Sequence, residues 1–232
     1  MTARATPVLL AWSGGKDSTL ALERLLDDPR WRVAGLVTTV TAGYDRIAIH
    51  GVRRSILRRQ ADGLGLPLFE AGIPPASDND TYERAFAGAL ANAREHCQDP
   101  LDTIAFGDLF LADVRAYRDA MLARLGWQGL YPLWREDTTA LAHRFIDHGY
   151  RAILCCVDTQ QLDAAFCGRD FDASLLADLP SAVDPCGENG EFHTCVHAGP
   201  LWRAPIALDR GERVLRDERF QYIDLIETGS SR

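Results

Sequence analysis

The sequence predicts an α/β protein: a doubly wound, mostly parallel sheet followed by a smaller C-terminal region of loops and β-hairpins. Three observations predict it. Apolar runs of strand length alternate with helical periodicity through Val157. A glycine bend, Ser13-Gly14-Gly15, separates the first such run from the first helix. After Asp158 the alternation yields to polar stretches and turn signals such as Glu188-Asn189-Gly190.

Val8–Trp12 reads as a buried strand, and Leu22, Leu25 and Leu26 share one face of a helix over Ser18–Leu26. Val33–Val40, rich in Val and Thr, is the second strand. Val52, Ile56, Leu57 and Leu64 recur at helical spacing, and Leu66–Phe69 is a short third strand. Tyr82–Cys97 carries the clearest apolar stripe. Thr103–Phe106 is the fourth strand, Val114, Tyr117, Met121 and Leu125 mark a helix, and Tyr131–Trp134 reads as the fifth strand. Leu141 and Phe145 lie on a helix that Asp137 or Thr138 can cap. Tyr150–Val157 completes the series as a sixth strand. Beyond it, Phe192–His197 alternates as a strand, Val214–Leu225 with Gly211 closes a last hairpin, and Thr228–Arg232 is expected to fray. The organisation expected is a ligand-binding α/β domain over residues 1–158 with a substrate-binding region, 159–232, packed on it.

At 232 residues the chain is long enough to bury a sizeable core. It has 47% hydrophobic and 25% charged residues, which excludes large-scale disorder. A net charge of -8 argues against a protein that coats nucleic acid. No apolar run approaches the ~20 residues of a membrane helix, and no signal peptide is expected. The 6 cysteines contain no C-x-x-C, so the reading is a reduced cytoplasmic protein without a disulfide framework.

The bend Trp12-Ser13-Gly14-Gly15-Lys16-Asp17-Ser18 sits where an open α/β sheet binds ligands, off the carboxyl ends of its strands. Gly14 and Gly15 permit a tight turn, the following helix directs N–H groups and its positive dipole end at the loop, and Ser13, Ser18 and Lys16 add donors. The result is an anion cradle, with neither Walker A nor G-x-G-x-x-G spacing. The run Asp184–Thr194 is dense in functional groups: Cys186, Gly187, Glu188, Glu191, His193 and Thr194. Its spacing matches no zinc pattern. Arg53, Arg54, Arg58 and Arg59 form a basic helix patch, either a solvated face or an anion contact. Cys155-Cys156 lies in an apolar run and reads as core.

Ser-Gly-Gly-x-Asp-Ser resembles the PP-loop of the N-type ATP pyrophosphatases, which implies a Rossmann-like fold of the adenine nucleotide alpha hydrolase type. Gly-Glu-Asn-Gly-Glu-Phe-His-Thr, residues 187–194, is similar to the acidic signature of the diphthine–ammonia ligase family, a PP-loop branch, here in its short form. His50 before a helix, Gly107-Asp108 before a helix bearing Arg115, Trp134 with Asp137, and Gly199-Pro200-Leu201 extend the likeness over about residues 7–225. Two stretches depart from it. Asp113–Tyr117 replaces a Tyr-Gln-Arg-x-Arg run, and His193 stands where a second acid is frequent.

The resemblance implies an ATP pyrophosphatase-type carbon–nitrogen ligase that adenylates a carboxylate and amidates it with ammonium. Ser13, Gly14, Gly15, Lys16, Asp17 and Ser18 would hold ATP, with Mg²⁺ bridging Asp17 to the phosphates. Lys16, Asp17, Glu188 and Glu191 are the catalytic candidates, the two glutamates binding ammonium or accepting its proton. His50, Asp108, Arg115, Cys186, Gly187, Glu188, Glu191, His193 and Thr194 are the substrate-binding candidates. The acyl substrate is a carboxylate, in the family borne on a protein, elongation factor 2. No membrane or nucleic-acid partner is expected, and a homodimer is the base-rate expectation. The alternatives are a PP-loop enzyme that thiolates RNA and a non-catalytic adenine-nucleotide-binding protein.

Overall fold

A computed structural model describes residues 4–43, 46–47 and 51–228. His50 and the end of the tail, residues 229–232, lie outside the described residues. The first sheet is built from β1 (Thr6–Ala11), β2 (Trp31–Thr41), β3 (Arg46–Ile47), β4 (Leu68–Ile73), β5 (Thr103–Ala105) and β6 (Gln128–Leu130). β4, β2, β1, β5 and β6 lie side by side in parallel, and β3 pairs antiparallel with the end of β2. The strand order reverses direction between β1 and β5, which opens a crevice at their carboxyl ends.

Helices cover both faces, as the alternation of apolar side chains along β1 and β2 requires. Leu9 and Val37 enter a core with Phe86 and Leu90 of α3 (Asn79–His96) and with Met121 and Leu122 of α4 (Ala112–Arg124). Leu10 and Leu36 enter the other, with α1 (Lys16–Asp27), α2 (Arg54–Leu64) and α5 (Thr138–Asp147). Asp78 caps α3 by accepting from Thr81 N at 2.8 Å, and Asp137 caps α5 by accepting from Ala140 N at 2.8 Å.

Two sequence expectations need correction. Tyr131–Trp134 is a turn following β6, closed by Trp134 N donating to Tyr131 O at 3.2 Å. Its buried Tyr131 and half-buried Trp134 pack on each other, which imitates the composition of a strand. The strand at 150–157, read as the sixth parallel strand, is β7 (Arg151–Asp158) of a second, antiparallel sheet. That sheet runs β8 (Phe192–Ala198), β7, β10 (Phe220–Glu227), β9 (Leu208–Arg216), and α6 (Ala173–Asp178) lies in the connection from β7 to β8. A continuous apolar run announces a central strand but not the direction of its partners.

The second sheet shares its core with α1, α2 and α5, so β8 lies against the start of α1. No helix among the described residues is long and apolar enough to cross a membrane.

Asp158 fastens β7 to β10. It is 1% exposed and accepts from Arg219 Nε at 3.0 Å and Nη2 at 2.6 Å. The Arg219 hydrogen bonds hold its carboxyl at about 2, below the ordinary 3.8. A depressed carboxylate pKa contributes stability above the unfolded value that is lost as pH falls through the folded one. Asp158→Asn is therefore expected to lower unfolding free energy by about 1–2 kcal/mol at pH 7 and by much less as pH falls from about 4 towards 2, read from urea midpoints at several pH values.

Candidate functional site

The bend between β1 and α1 is pinned from three sides. Gly14 has φ +76°, and a Cβ there would stand 2.6 Å from Gln60 Oε1. Its carbonyl accepts from Val196 N of β8 at 2.9 Å and from Gln60 Nε2 at 3.0 Å. The carbonyl of Gly15 accepts from the Ser18 and Thr19 hydroxyls, each at 2.9 Å, and Lys16 N donates to Thr194 Oγ1 at 3.1 Å. Gly15 caps α1 without a side-chain acceptor, and the positive end of the helix faces the bend. On the third side Gly107, just past β5, comes so close that a Cβ would lie 2.9 Å from the Asp17 carbonyl carbon.

Gln60 is a functional residue that the sequence reading missed. It is fully buried on α2, accepts from Trp12 Nε1 at 2.9 Å, and donates to Gly14 O and, at 2.6 Å, to Val196 O. A single amide thus joins β1, the bend and β8. The available signal was a polar residue four positions after Ile56, on the apolar face of its helix.

Lys16 does not extend into open space. It is 2% exposed, its Nζ donates to Asp17 Oδ2 at 2.9 Å and to the carbonyl of Cys186, and it lies 5.4 Å from the centre of the Phe192 ring and 5.8 Å from that of Phe171. Desolvation opposes its charge, but the neighbouring Asp17 outweighs this together with Cys186 and Glu188 and raises the Lys16 pKa. The ammonium ties the glycine bend to the acidic loop 184–191. Asp17 Oδ1 and Thr38 Oγ1 are both buried without a hydrogen-bond partner among the described residues.

The acidic loop divides its labour. Asp184 organises the turn, accepting from Cys186 N at 2.9 Å, from Glu188 N at 3.2 Å and from the Thr138 hydroxyl at 2.7 Å. Glu191 is 2% exposed and accepts from Asp184 N at 2.9 Å and Asn189 Nδ2 at 3.0 Å. It and Cys186 brace the loop and do not line the cavity. Glu188 does line it. Its Oε1 accepts from Leu109 N at 2.7 Å and Phe110 N at 3.3 Å. Burial pushes its carboxyl up to about 7, against the pull of the Leu109 N–H and with help from Asp17.

The cavity, of about 530 Å³, opens at the crevice between β1 and β5. It gathers Ser13, Gly15, Lys16, Asp17 and Ser18 with Asp108, Gly187, Glu188, His193 and Thr194, whereas Gly14, behind the bend, holds the loop from outside it. Arg115 is not a lining residue: it lies over Tyr131 and Trp134, 4.5 and 4.6 Å from their ring centres. Arg118 takes that place, donating to Asp108 through Nε at 2.7 Å and Nη2 at 3.3 Å. Leu111, Val114 and Arg118 recur at helical spacing and face the cavity together, a pattern the sequence offered and a motif match on Arg115 obscured.

The basic patch is engaged elsewhere, Arg53 with Asp224 and Arg54 and Arg58 with Glu70. Cys155, Cys156, Cys167, Cys186 and Cys195 are buried, and burial raises all five thiols, so none is a ready sulfur carrier. No cluster of three or more His, Cys, Asp or Glu suited to a metal occurs among the described residues. Two carboxylate oxygens are buried without a hydrogen-bond partner among the described residues, Asp17 Oδ1 and Glu191 Oε2, and of these residues only Asp17 lines the cavity, where it could receive a cation that brings its other ligands with it.

A glycine bend at the switch point of a doubly wound sheet, joined to a carboxylate-bearing loop, makes a site where the start of a helix can meet an anion. The diphthamide synthase N-terminal domain matches residues 6–129 and the diphthamide synthase C-terminal domain residues 137–227. The chain belongs to the diphthamide synthase family. It is 29% identical over 180 residues to a Danio rerio protein named diphthine–ammonia ligase, covering 68% of this chain and 67% of that one. A Schizosaccharomyces pombe protein of the same name is 25% identical over 222 residues, 87% of this chain, and the chain spans 36% of its length. A solved structure described as a predicted subunit of tRNA methyltransferase from Methanocaldococcus jannaschii aligns with TM-score 0.42 and 16% identity over 64% of this chain and 80% of that one.

Because the Gln60 side chain serves one donor and two acceptors in the buried interior, its replacement leaves the Trp12 N–H and a β8 carbonyl unpaired. Gln60→Leu is expected to cost about 2–4 kcal/mol of stability, read from urea midpoints. Gln60→Glu, which sets a carboxylate against two carbonyls, is expected to cost more at pH 7.

Proposed function

We propose that the chain is an ATP-dependent, AMP-forming ligase that activates a carboxylate and amidates it with ammonium, the diphthine–ammonia ligase reaction for which its relatives are named. The observation that carries this reading is the meeting, in one cavity, of an anion-binding helix start and a carboxylate whose proton is held near neutral pH.

The Ser13–Ser18 bend suits a triphosphate, through the positive end of α1 and the Ser13 hydroxyl. Asp17, with its unpartnered Oδ1, is the residue that would hold Mg²⁺ beside phosphate oxygens. When bound, that ion neutralises phosphate charge. A carboxylate oxygen of the acyl substrate attacks the α-phosphorus, the bond to pyrophosphate breaks, and the acyl carbon gains a good leaving group. Ammonia then attacks that carbon, AMP departs, and the nitrogen sheds a proton. Glu188 accepts that proton; the Leu109 and Phe110 N–H groups aim its carboxylate. Ammonium is the nitrogen source and diphthine the acyl substrate suggested by the relatives' name, with elongation factor 2 as its carrier implied by the family resemblance of the sequence.

Incubation with ATP, Mg²⁺, ammonium and diphthine-bearing elongation factor 2 is expected to release AMP and pyrophosphate and convert the acceptor carboxylate to an amide, seen by mass spectrometry. AMP release that depends on another carboxylate would move the substrate and keep the chemistry. ATP binding without turnover on any carboxylate would overturn the ligase reading. Glu188→Gln is expected to slow amide formation by roughly 10²–10⁴-fold with ATP affinity retained. At a fixed concentration of free ammonia the wild-type rate is expected to fall as pH drops through about 7, because protonated Glu188 cannot accept a proton, and the variant is expected to lack that limb.

A further inference from the structure

Among the described residues lining the cavity, Lys16 and Arg118 are the two lysine or arginine side chains. Lys16 is committed: Asp17, the Cys186 carbonyl and two phenyl rings enclose its ammonium. Arg118 is not enclosed in this way. A quarter of its side chain is exposed, and its guanidinium lies 4.4 Å from the centre of the Phe106 ring. Asp108 engages Nε at 2.7 Å and Nη2 through a longer contact of 3.3 Å, and the Tyr82 hydroxyl also meets the guanidinium, which leaves further donors among the five N–H groups it carries.

The place of this pair in the fold gives it meaning. Four consecutive residues after β5 carry three parts of the site. Gly107 abuts the backbone of Asp17 and Ser18 at the start of α1, Asp108 holds Arg118, and the N–H groups of Leu109 and Phe110 hold Glu188. A fixed cation therefore stands on the same short turn as the helix start and the carboxylate. A carboxylate that approaches a polyphosphate is repelled unless a cation receives it, and a planar guanidinium with spare donors is the side chain best shaped to receive one.

We propose that Arg118, held by Asp108 against the Phe106 ring, is the seat of the acyl substrate's carboxylate in this cavity, and that Asp108 is its positioning residue. This deepens the ligase reading and rests on it for the identity of the group that Arg118 receives.

Acetate serves as the probe, with the protein loaded with α,β-methylene ATP and Mg²⁺ so that no turnover intervenes. Saturation-transfer NMR is expected to detect acetate on the wild type, and Arg118→Gln is expected to weaken that binding roughly 10–100-fold while the affinity for α,β-methylene ATP stays within about twofold. Arg118→Lys is expected to recover part of the acetate affinity. In a parallel measurement that needs no variant, acetate is expected to protect Arg118 of the wild type from phenylglyoxal, read by peptide mass spectrometry. Acetate binding that is absent from the wild type, equal binding in Arg118→Gln, or no protection of Arg118 would overturn the proposal. A matching loss of nucleotide affinity in Arg118→Gln would also overturn it, by placing Arg118 on ATP. These outcomes are separate from the ligase reading: acetate bound at Arg118 with no AMP formed on any carboxylate leaves the seat in place and refutes the reaction, and AMP formation undiminished in Arg118→Gln does the reverse.

Discussion

The pairing of β8 with the glycine bend is the contact on which the site depends. A bend of this kind has no side chains with which to define its own shape, so its conformation must be imposed by neighbours. Val196 N and Gln60 Nε2 meet the Gly14 carbonyl, Thr194 Oγ1 takes the Lys16 N–H, and Gly107 closes the remaining side. These partners come from β8, α2 and the turn after β5, so the bend acquires its form only when both sheets are in place. The same contact brings the acidic loop, which leads directly into β8, over the start of α1.

Lys16 closes that arrangement. A cation buried between two phenyl rings is tolerable because a carboxylate and a carbonyl receive it. Its contribution is chiefly geometric: it fixes how far the acidic loop stands from the bend. Glu188, on the same loop, is consequently desolvated without a cation of its own, and its proton affinity rises. The residues that order the loop, Asp184 and Glu191, are thus distinct from the one that faces the cavity.

Much of this was legible in the sequence, and particular residues show why the rest was not. The strand–helix alternation located the parallel sheet and the bend because each signal is local: apolar periodicity, two glycines and a helix start. Tyr131–Trp134 misled because aromatic residues packed together in a turn have the composition of a strand. β7 misled because an apolar run records burial and leaves its partners unstated. Gln60 and Arg118 were missed for a common reason. Each is a single polar residue whose role is set by what crosses the fold to meet it, and only its place on a helical face hinted at that. His193 and Thr194 were found because they sit within a dense run, although the further bond that locks Thr194 to the Lys16 N–H could not be read beforehand.

The turn from Gly107 to Phe110 makes the spacing of three functional groups a property of covalent structure. Adding or deleting a single residue there would shift the contact with α1, the arginine clamp and the carboxylate anchor at once. The length of this tetrapeptide is thus as constrained as the side chains it carries.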